Sequence, residues 1–274
     1  MPAIHNRVMH QSNVLIILGM HRSGTSVAAQ WMAESGLCIG DVLLGKTYNN
    51  KFGHFEDKDF LELHREVLAE HGKSYDVIEP FQLSMSDYHL KKSKMLVKLK
   101  SNLYTDWGWK EPRTVLFADH WLSLIPHAKV FAVYRHFRQV VDSLLRREES
   151  TFSRRKNLYL KWQSYLRFNK TLNERGNHFL RVWLHYNSIL LEVLQNQKSP
   201  NHILINQERI GECEHLIMET LIQKWKFKLD NKQYGEVFRE VHYSNNVKFN
   251  INYEERLLVK ANDMYKKLEQ FQSF

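Results

Sequence analysis

Cysteine is scarce in this chain: only Cys38 and Cys213, far apart in sequence. That excludes a disulfide scaffold and a cysteine-based zinc site, and it fits a reducing compartment. No apolar run reaches the ~18 residues that a membrane span requires. The first residues, MPAIHNRVMHQSN, lack the apolar stretch of roughly 7–15 residues that marks a secretory signal. The expectation is a cytoplasmic chain with no transmembrane segment. Internal repeats and low-complexity tracts are missing as well, which excludes solenoids and repeat arrays. So is the composition of disorder: 43% of the 274 residues are hydrophobic and 25% charged, ordinary globular usage. That length suits one α/β domain over residues 1–274, burying about three quarters of the surface its unfolded chain would expose. Acidic residues are in short supply. Thirty Asp and Glu against 39 Lys and Arg leave a net charge of +9. This favours anionic partners: a phosphorylated cofactor, an acidic glycan, nucleic acid or a membrane surface.

What is present is an alternation of strand and helix signals. Val14 to Leu18 is a buried strand, and Gly24 to Glu34 a helix stopped by Gly36. Asp57 to Glu70 is a helix capped by Asp57 or Asp59. Residues 73–93 read as irregular, and Met95 to Leu99 and Trp107 to Lys110 as short strands. Thr114 caps a helix to about Leu124. Lys129 to Tyr134 is a clear strand, followed by a helix over Phe137 to Arg147. Residues 157–195 read as a helical hairpin turned at Glu174 to Asn177, His202 to Ile205 as a strand, and the chain from Tyr253 as an amphipathic helix. This order predicts an α/β fold: a mostly parallel central sheet flanked by helices, decorated by helical insertions.

Two segments carry chemistry. In the first, the strand Val14 to Leu18 runs into Gly19-Met-His-Arg-Ser-Gly24-Thr-Ser. A glycine-containing turn at a helix N-terminus points backbone N–H groups and partial positive charge at an anion. The Gly19-x4-Gly24 spacing matches a Walker A loop, but Thr25 stands where that loop has Lys. Arg22 supplies a cation instead, and a planar guanidinium suits phosphate or sulfate oxygens. The plainer reading is a βα turn with a surface arginine. In the second segment, the strand ending at Tyr134 leads into Arg135, with Ser143 eight residues on. Ligands of open α/β sheets bind at the carboxyl ends of strands, so Arg135 and Ser143 can share one phosphate. The plainer reading is a salt bridge and an incidental serine.

Together these motifs resemble those of the PAPS-dependent sulfotransferases. PAPS is 3′-phosphoadenosine 5′-phosphosulfate. The resemblance, best over residues 14–147, implies a P-loop-like sulfotransferase fold. It implies a 5′-phosphosulfate site of Arg22, Ser23, Gly24, Thr25 and Ser26, and a 3′-phosphate site of Arg135 and Ser143. The segments Gly53-His-Phe-Glu-Asp57 and Trp109-Lys-Glu-Pro-Arg113 are similar to those of bacterial sulfotransferase-like proteins. The chain departs from the cytosolic animal enzymes in having Arg in the first loop and in lacking their Gly-rich C-terminal nucleotide loop.

Sulfuryl transfer needs a base, cations on the sulfonate and support for the leaving phosphate. Arg22 and Lys110 are the cation candidates, with Arg113 beside them; an ion pair with Glu111 is the plainer role of Lys110 and Arg113. Glu56 is the favoured base and His21 its rival. His54 and His64 are weaker, and His64 and His71 read as core or solvent-face histidines. No metal is expected. The expected activity is transfer from PAPS to a hydroxyl acceptor, a carbohydrate or small molecule, with residues 40–60, 73–95 and 146–160 as acceptor walls. No nucleic-acid partner is expected; peripheral membrane contact stays open. Two other readings stand beside it. A P-loop kinase or NTPase is opposed by the missing Walker Lys and by the lack of an apolar strand ending in a Mg²⁺-binding Asp. A non-catalytic nucleic-acid or anionic-glycan binder would use the +9 charge.

Overall fold

The computed structural model describes residues 12–45, 55–196, 201–237 and 247–274. In chain order the elements are β1 (Asn13–Leu18), α1 (Thr25–Glu34), α2 (Lys58–Glu70), α3 (Asp87–Leu103), β2 (Asp106–Lys110), a 3-10 turn (Pro112–Phe117), α4 (Ala118–Leu124) and β3 (Lys129–Tyr134). Then come α5 (Phe137–Ser153), α6 (Leu158–Lys170), α7 (Leu172–Asn196), β4 (His202–Asn206), α8 (Glu214–Glu219), α9 (Tyr234–Val237) and α10 (Glu255–Phe271).

The four strands form one parallel sheet in the order β2-β1-β3-β4. Helices cover both faces, so β1, β3 and β4 have continuous apolar middles instead of alternating, while β2 is buried throughout with Asp106 and Lys110 at its ends. Val14, Ile16, Leu18, Trp107, Trp109, Val130 and Ala132 face one layer of helices, including α2, α5 and α7. Leu15, Ile17, Phe131, Val133, Ile203 and Ile205 face α1 and α8. Phe60 of α2 stacks on Trp109 at 4.1 Å between ring centroids, which seats α2 against β2.

The strand order matters for function. From β1 the chain adds β2 on one side, then crosses back to add β3 on the other. The switch point therefore lies between β1 and β3, where a crevice opens beyond the strand ends. At the far edge, the Leu204 amide of β4 donates to Ser273 Oγ at 3.0 Å, and the Ser273 amide donates to the Leu204 carbonyl at 2.9 Å. The tail thus occupies part of an edge that would otherwise present unpaired backbone groups.

Several expectations are corrected. Met95 to Leu99 is no strand but the middle of α3, whose start is capped by Ser86 accepting from the His89 amide. Its buried residues follow a helical spacing: His89, Ser93, Leu96 and Lys100 form the inward face. The helical hairpin turns at Thr171, not at Glu174 to Asn177, which lie inside α7. Gly176, inside that stretch, serves packing: a Cβ there would sit 2.5 Å from Ile251 Cγ2. Thr114 lies in the 3-10 turn, where its hydroxyl accepts from Trp109 Nε1 at 3.1 Å and caps no helix. The helix after β3 runs on to Ser153.

Candidate functional site

The loop after β1 is shaped by three left-handed residues: Gly19 (φ 147°), Arg22 (φ 70°) and Gly24 (φ 94°). At Gly19 a Cβ would meet the Val133 carbonyl oxygen at 2.3 Å, so glycine is required where β1 leaves the sheet beside β3. At Gly24 a Cβ would meet Gln207 Cγ at 2.3 Å. Gln207 stands just beyond β4. Ser23 donates its amide to the Met20 carbonyl at 3.2 Å, closing the turn. Thr25 opens α1; the Val27 amide donates to the Gly24 carbonyl at 3.1 Å, and the Thr25 and Ser26 amides precede the helix's own acceptors. The Ser23 hydroxyl is fully buried and has no hydrogen-bond partner among the described residues. A buried donor left open beside a helix N-terminus fits an anion.

Lys110 ends β2, the strand next to β1. Its ammonium is buried, donating to Ser26 Oγ at 3.1 Å and to Glu56 Oε1 at 2.9 Å. One cation thus joins the loop to a carboxylate. Glu56 is held by its backbone: the Leu44 amide donates to its carbonyl at 2.7 Å, and Phe55 before it is left-handed at φ 49°. Asp57 after it caps α2, accepting from the Asp59 amide at 2.9 Å, and also takes Lys100 Nζ at 2.8 Å. Lys100 bonds Asp41 too, and Asp41 accepts from the Tyr104 hydroxyl. Burial alone would lower the Lys100 pKa, but its bonds to Asp41 and Asp57 outweigh that and raise it. Gly53 and His54 lie outside the described residues.

His21 is buried within the loop, with neither ring nitrogen partnered among the described residues. Tyr75 and Tyr186 meet it edge-on at 5.0 and 5.6 Å. Burial first, then the charges of Arg147, Arg113 and Arg22, lowers its pKa to about 3. It is a neutral imidazole at pH 7, and so weak a base suits donation of an N–H better than proton capture. Arg113 and Arg147 lie against the Tyr75 ring, 5.9 and 5.7 Å from its centroid. Arg113 is also bonded to Glu111. Glu111 in turn accepts from His64 Nδ1 at 2.7 Å, while His64 Nε2 accepts from Trp121 Nε1 at 2.8 Å. The indole can only donate, which makes His64 a neutral Nδ1–H tautomer. His64 is thus a core residue that orients Glu111. His71, half-buried, donates Nδ1–H to the Val67 carbonyl at 2.8 Å.

Arg135 follows β3, largely buried, with Nε donating to Gln139 Oε1 at 3.0 Å and its carbonyl accepting from Trp183 Nε1 at 3.1 Å. Because β1 and β3 pair side by side, the Arg22 loop and Arg135 stand at the same sheet edge, on either side of the switch point. Ser143, two turns into α5, accepts from Arg22 Nε at 2.8 Å. The two motifs therefore touch directly, and Ser143 leans toward the first loop. Tyr75 and Arg147 fall within the segments expected as acceptor walls but were not singled out as site residues, and Tyr186 and Gln207 lie outside every expected site segment. Two of the four had a local signal available. Gln207 follows a recognised strand, and Arg147 lies four residues after Ser143, on the same helix face. Tyr75 and Tyr186 come from a loop and a long helix, with no motif.

The fold has parallels among solved structures. The sulfotransferase domain from the curacin biosynthetic pathway superposes with a TM-score of 0.52, covering 94% of this chain and 98% of that one at 13% identity. The chain has a sulfotransferase-like fold. A sulfotransferase from Mycobacterium avium (TM-score 0.47, 11% identity, 96% of this chain and 69% of that one) also matches. So does the sulfotransferase domain of the Synechococcus olefin synthase (TM-score 0.42, 13% identity, 96% of each chain). No family model matches the chain, nor does any curated protein. In this sulfotransferase-like frame, the loop, Lys110 and Arg135 occupy the carboxyl edge of the parallel sheet. Among the described residues, no cluster of His, Cys, Asp and Glu suited to a metal ion occurs, and no helix is long and apolar enough to cross a membrane.

Proposed function

We propose that the protein is a sulfotransferase that moves a sulfuryl group from PAPS to a hydroxyl acceptor, a carbohydrate or small molecule. The observation that carries this reading is the placement of Lys110, bonded at once to Ser26 of the anion loop and to Glu56. Bound PAPS would supply an activated sulfuryl group, leaving 3′,5′-ADP. Ser23, Gly24, Thr25 and Ser26 present hydroxyls and backbone amides to its 5′ end, and Arg135 offers charge for the 3′-phosphate. Ser143 holds the Arg22 guanidinium in place. Arg22 and Lys110 offset the negative charge that builds on the sulfonate and the leaving phosphate oxygen. Glu56 takes the proton of the acceptor hydroxyl as its oxygen bonds to sulfur, and the bond from Lys110 keeps that carboxylate aimed. His21 donates an N–H toward the sulfonate from its buried position.

The test pairs calorimetry with turnover. Titration with 3′,5′-ADP is expected to show binding, and Mg-ATP is expected to bind far more weakly. Radiolabelled PAPS incubated with pooled carbohydrate and small-molecule acceptors is expected to give a labelled product. Tight Mg-ATP binding without 3′,5′-ADP binding would assign the site to a kinase or NTPase instead.

A further inference from the structure

The helix α6 turns an apolar face to solvent. Leu158, Tyr159, Trp162 and Leu166 are 79, 63, 59 and 49% exposed. Spacings of one, four and eight residues put them on one stripe of the helix. An unpaired stripe of this size on an amphipathic helix marks a docking face. Its setting is strongly cationic. Between Glu149 and Glu174 the chain has no acidic residue but carries Arg154, Arg155, Lys156, Lys161, Arg167 and Lys170.

A cavity of about 260 Å³ opens beside the helix, lined by Phe152, Arg155, Gln163, Arg167, Phe168 and Arg175 among others. Arg175 is paired with Glu148 at 2.7 Å and lies over the Phe168 ring. Arg155 and Arg167 have no carboxylate partner among the described residues. Two uncompensated guanidiniums in one pocket, next to an exposed Trp–Tyr–Leu stripe, fit a phosphate at the depth of lipid headgroups.

We infer that α6 is a membrane-docking helix. It lies in the interface of an anionic bilayer, with Leu158, Trp162 and Leu166 among the acyl chains and the Arg155–Arg167 pocket on a lipid phosphate. The occupant is chosen by charge. A second copy seated across α6 would set the same cationic segment against itself, whereas an anionic bilayer satisfies the stripe and the cations together. Nothing in this inference depends on sulfuryl transfer.

The full chain is tested by co-sedimentation with vesicles of phosphatidylcholine and of phosphatidylcholine mixed with phosphatidylglycerol. Binding is expected to the mixed vesicles at low salt, with release as salt screens the attraction. Leu158→Ser combined with Trp162→Ser is expected to weaken binding at least about tenfold, with an unchanged melting temperature because both side chains are exposed. Arg155→Ala with Arg167→Ala is expected to erase the preference for the anionic lipid. Failure to sediment with mixed vesicles at low salt would overturn the inference, as would unaltered binding by the Leu158/Trp162 variant. Light scattering that finds a dimer dissolved by those same substitutions, with no vesicle binding, would give the face to a second copy.

Discussion

At the residue scale the site is an exercise in compensating buried charge. Lys110 is tolerated inside because Glu56 and Ser26 accept its hydrogen bonds, and Glu56 stays aimed because Lys110 holds it. Glu56→Gln keeps the shape but removes the proposed proton acceptor. Turnover of labelled PAPS is expected to fall by about 10²–10⁴-fold, while the affinity for 3′,5′-ADP measured by calorimetry stays nearly level. Equal turnover would dismiss Glu56 as the base. Arg22→Ala and Arg135→Ala act on binding instead. Each removes a charged hydrogen-bond donor, worth about 1.5–3 kcal/mol, so 3′,5′-ADP affinity should drop by about one to two decades. His21 gives the molecule a pH signature. Above pH 6.5 neither the folded nor the unfolded imidazole carries a proton; below it only the unfolded one does, until the folded pKa of about 3 is reached. Stability should therefore fall by about 1.4 kcal/mol per pH unit across that window on account of this one group. Urea melts of His21→Gln between pH 6 and pH 4 are expected to show a slope shallower by that amount. His64, also depressed mainly by burial, contributes in the same direction and would remain.

At the scale of elements, loops are fixed by what they press against. Gly24 and Gly36 both have φ well into the left-handed region, at 94° and 99°. A Cβ at Gly24 strikes Gln207, whereas at Gly36 it meets nothing within 4 Å. Gly36→Ala should cost only the backbone term, about 1–2 kcal/mol. Gly24→Ala should cost more by thermal unfolding and should also abolish 3′,5′-ADP binding, since the loop must part from Gln207. A similar contrast explains what could be read from sequence. The strands at Val14 to Leu18 and Lys129 to Tyr134 are apolar runs bounded by turn chemistry, and they are β1 and β3. Met95 to Leu99 is as apolar as a strand, but a Ser86 cap and a four-residue rhythm of buried positions decide for helix. Local composition does not carry that decision; the register against α2 does. Lys100 shows the same limit. In sequence it belongs to a lysine-rich stretch, but in the fold it is buried between Asp41 and Asp57.

At the scale of the whole molecule, the sheet order is what unites the motifs. The Arg22 loop and Arg135 are 113 positions apart in the chain, yet their strands are neighbours. Sequence could name both ends because each follows a recognisable strand, and strand ends are where α/β sheets bind ligands. It could not supply Tyr75, Tyr186 or the Arg113–Arg147 embrace, since these meet only after distant segments fold over the crevice. A ligand that spans the crevice should stabilise the fold as a unit. At 3′,5′-ADP about a hundredfold above its dissociation constant, the gain should be ~2.7 kcal/mol, read as a melting temperature several degrees higher. Mg-ATP at the same concentration is expected to leave the melting curve in place.

The Ser273 clasp on Leu204 has a practical side. Removing Ser273, or pulling it outward with a bulky fusion, would leave the Leu204 N–H and C=O of the rim strand unpaired, a template for intermolecular pairing. Such a preparation should cloud on storage long before its chemistry fails.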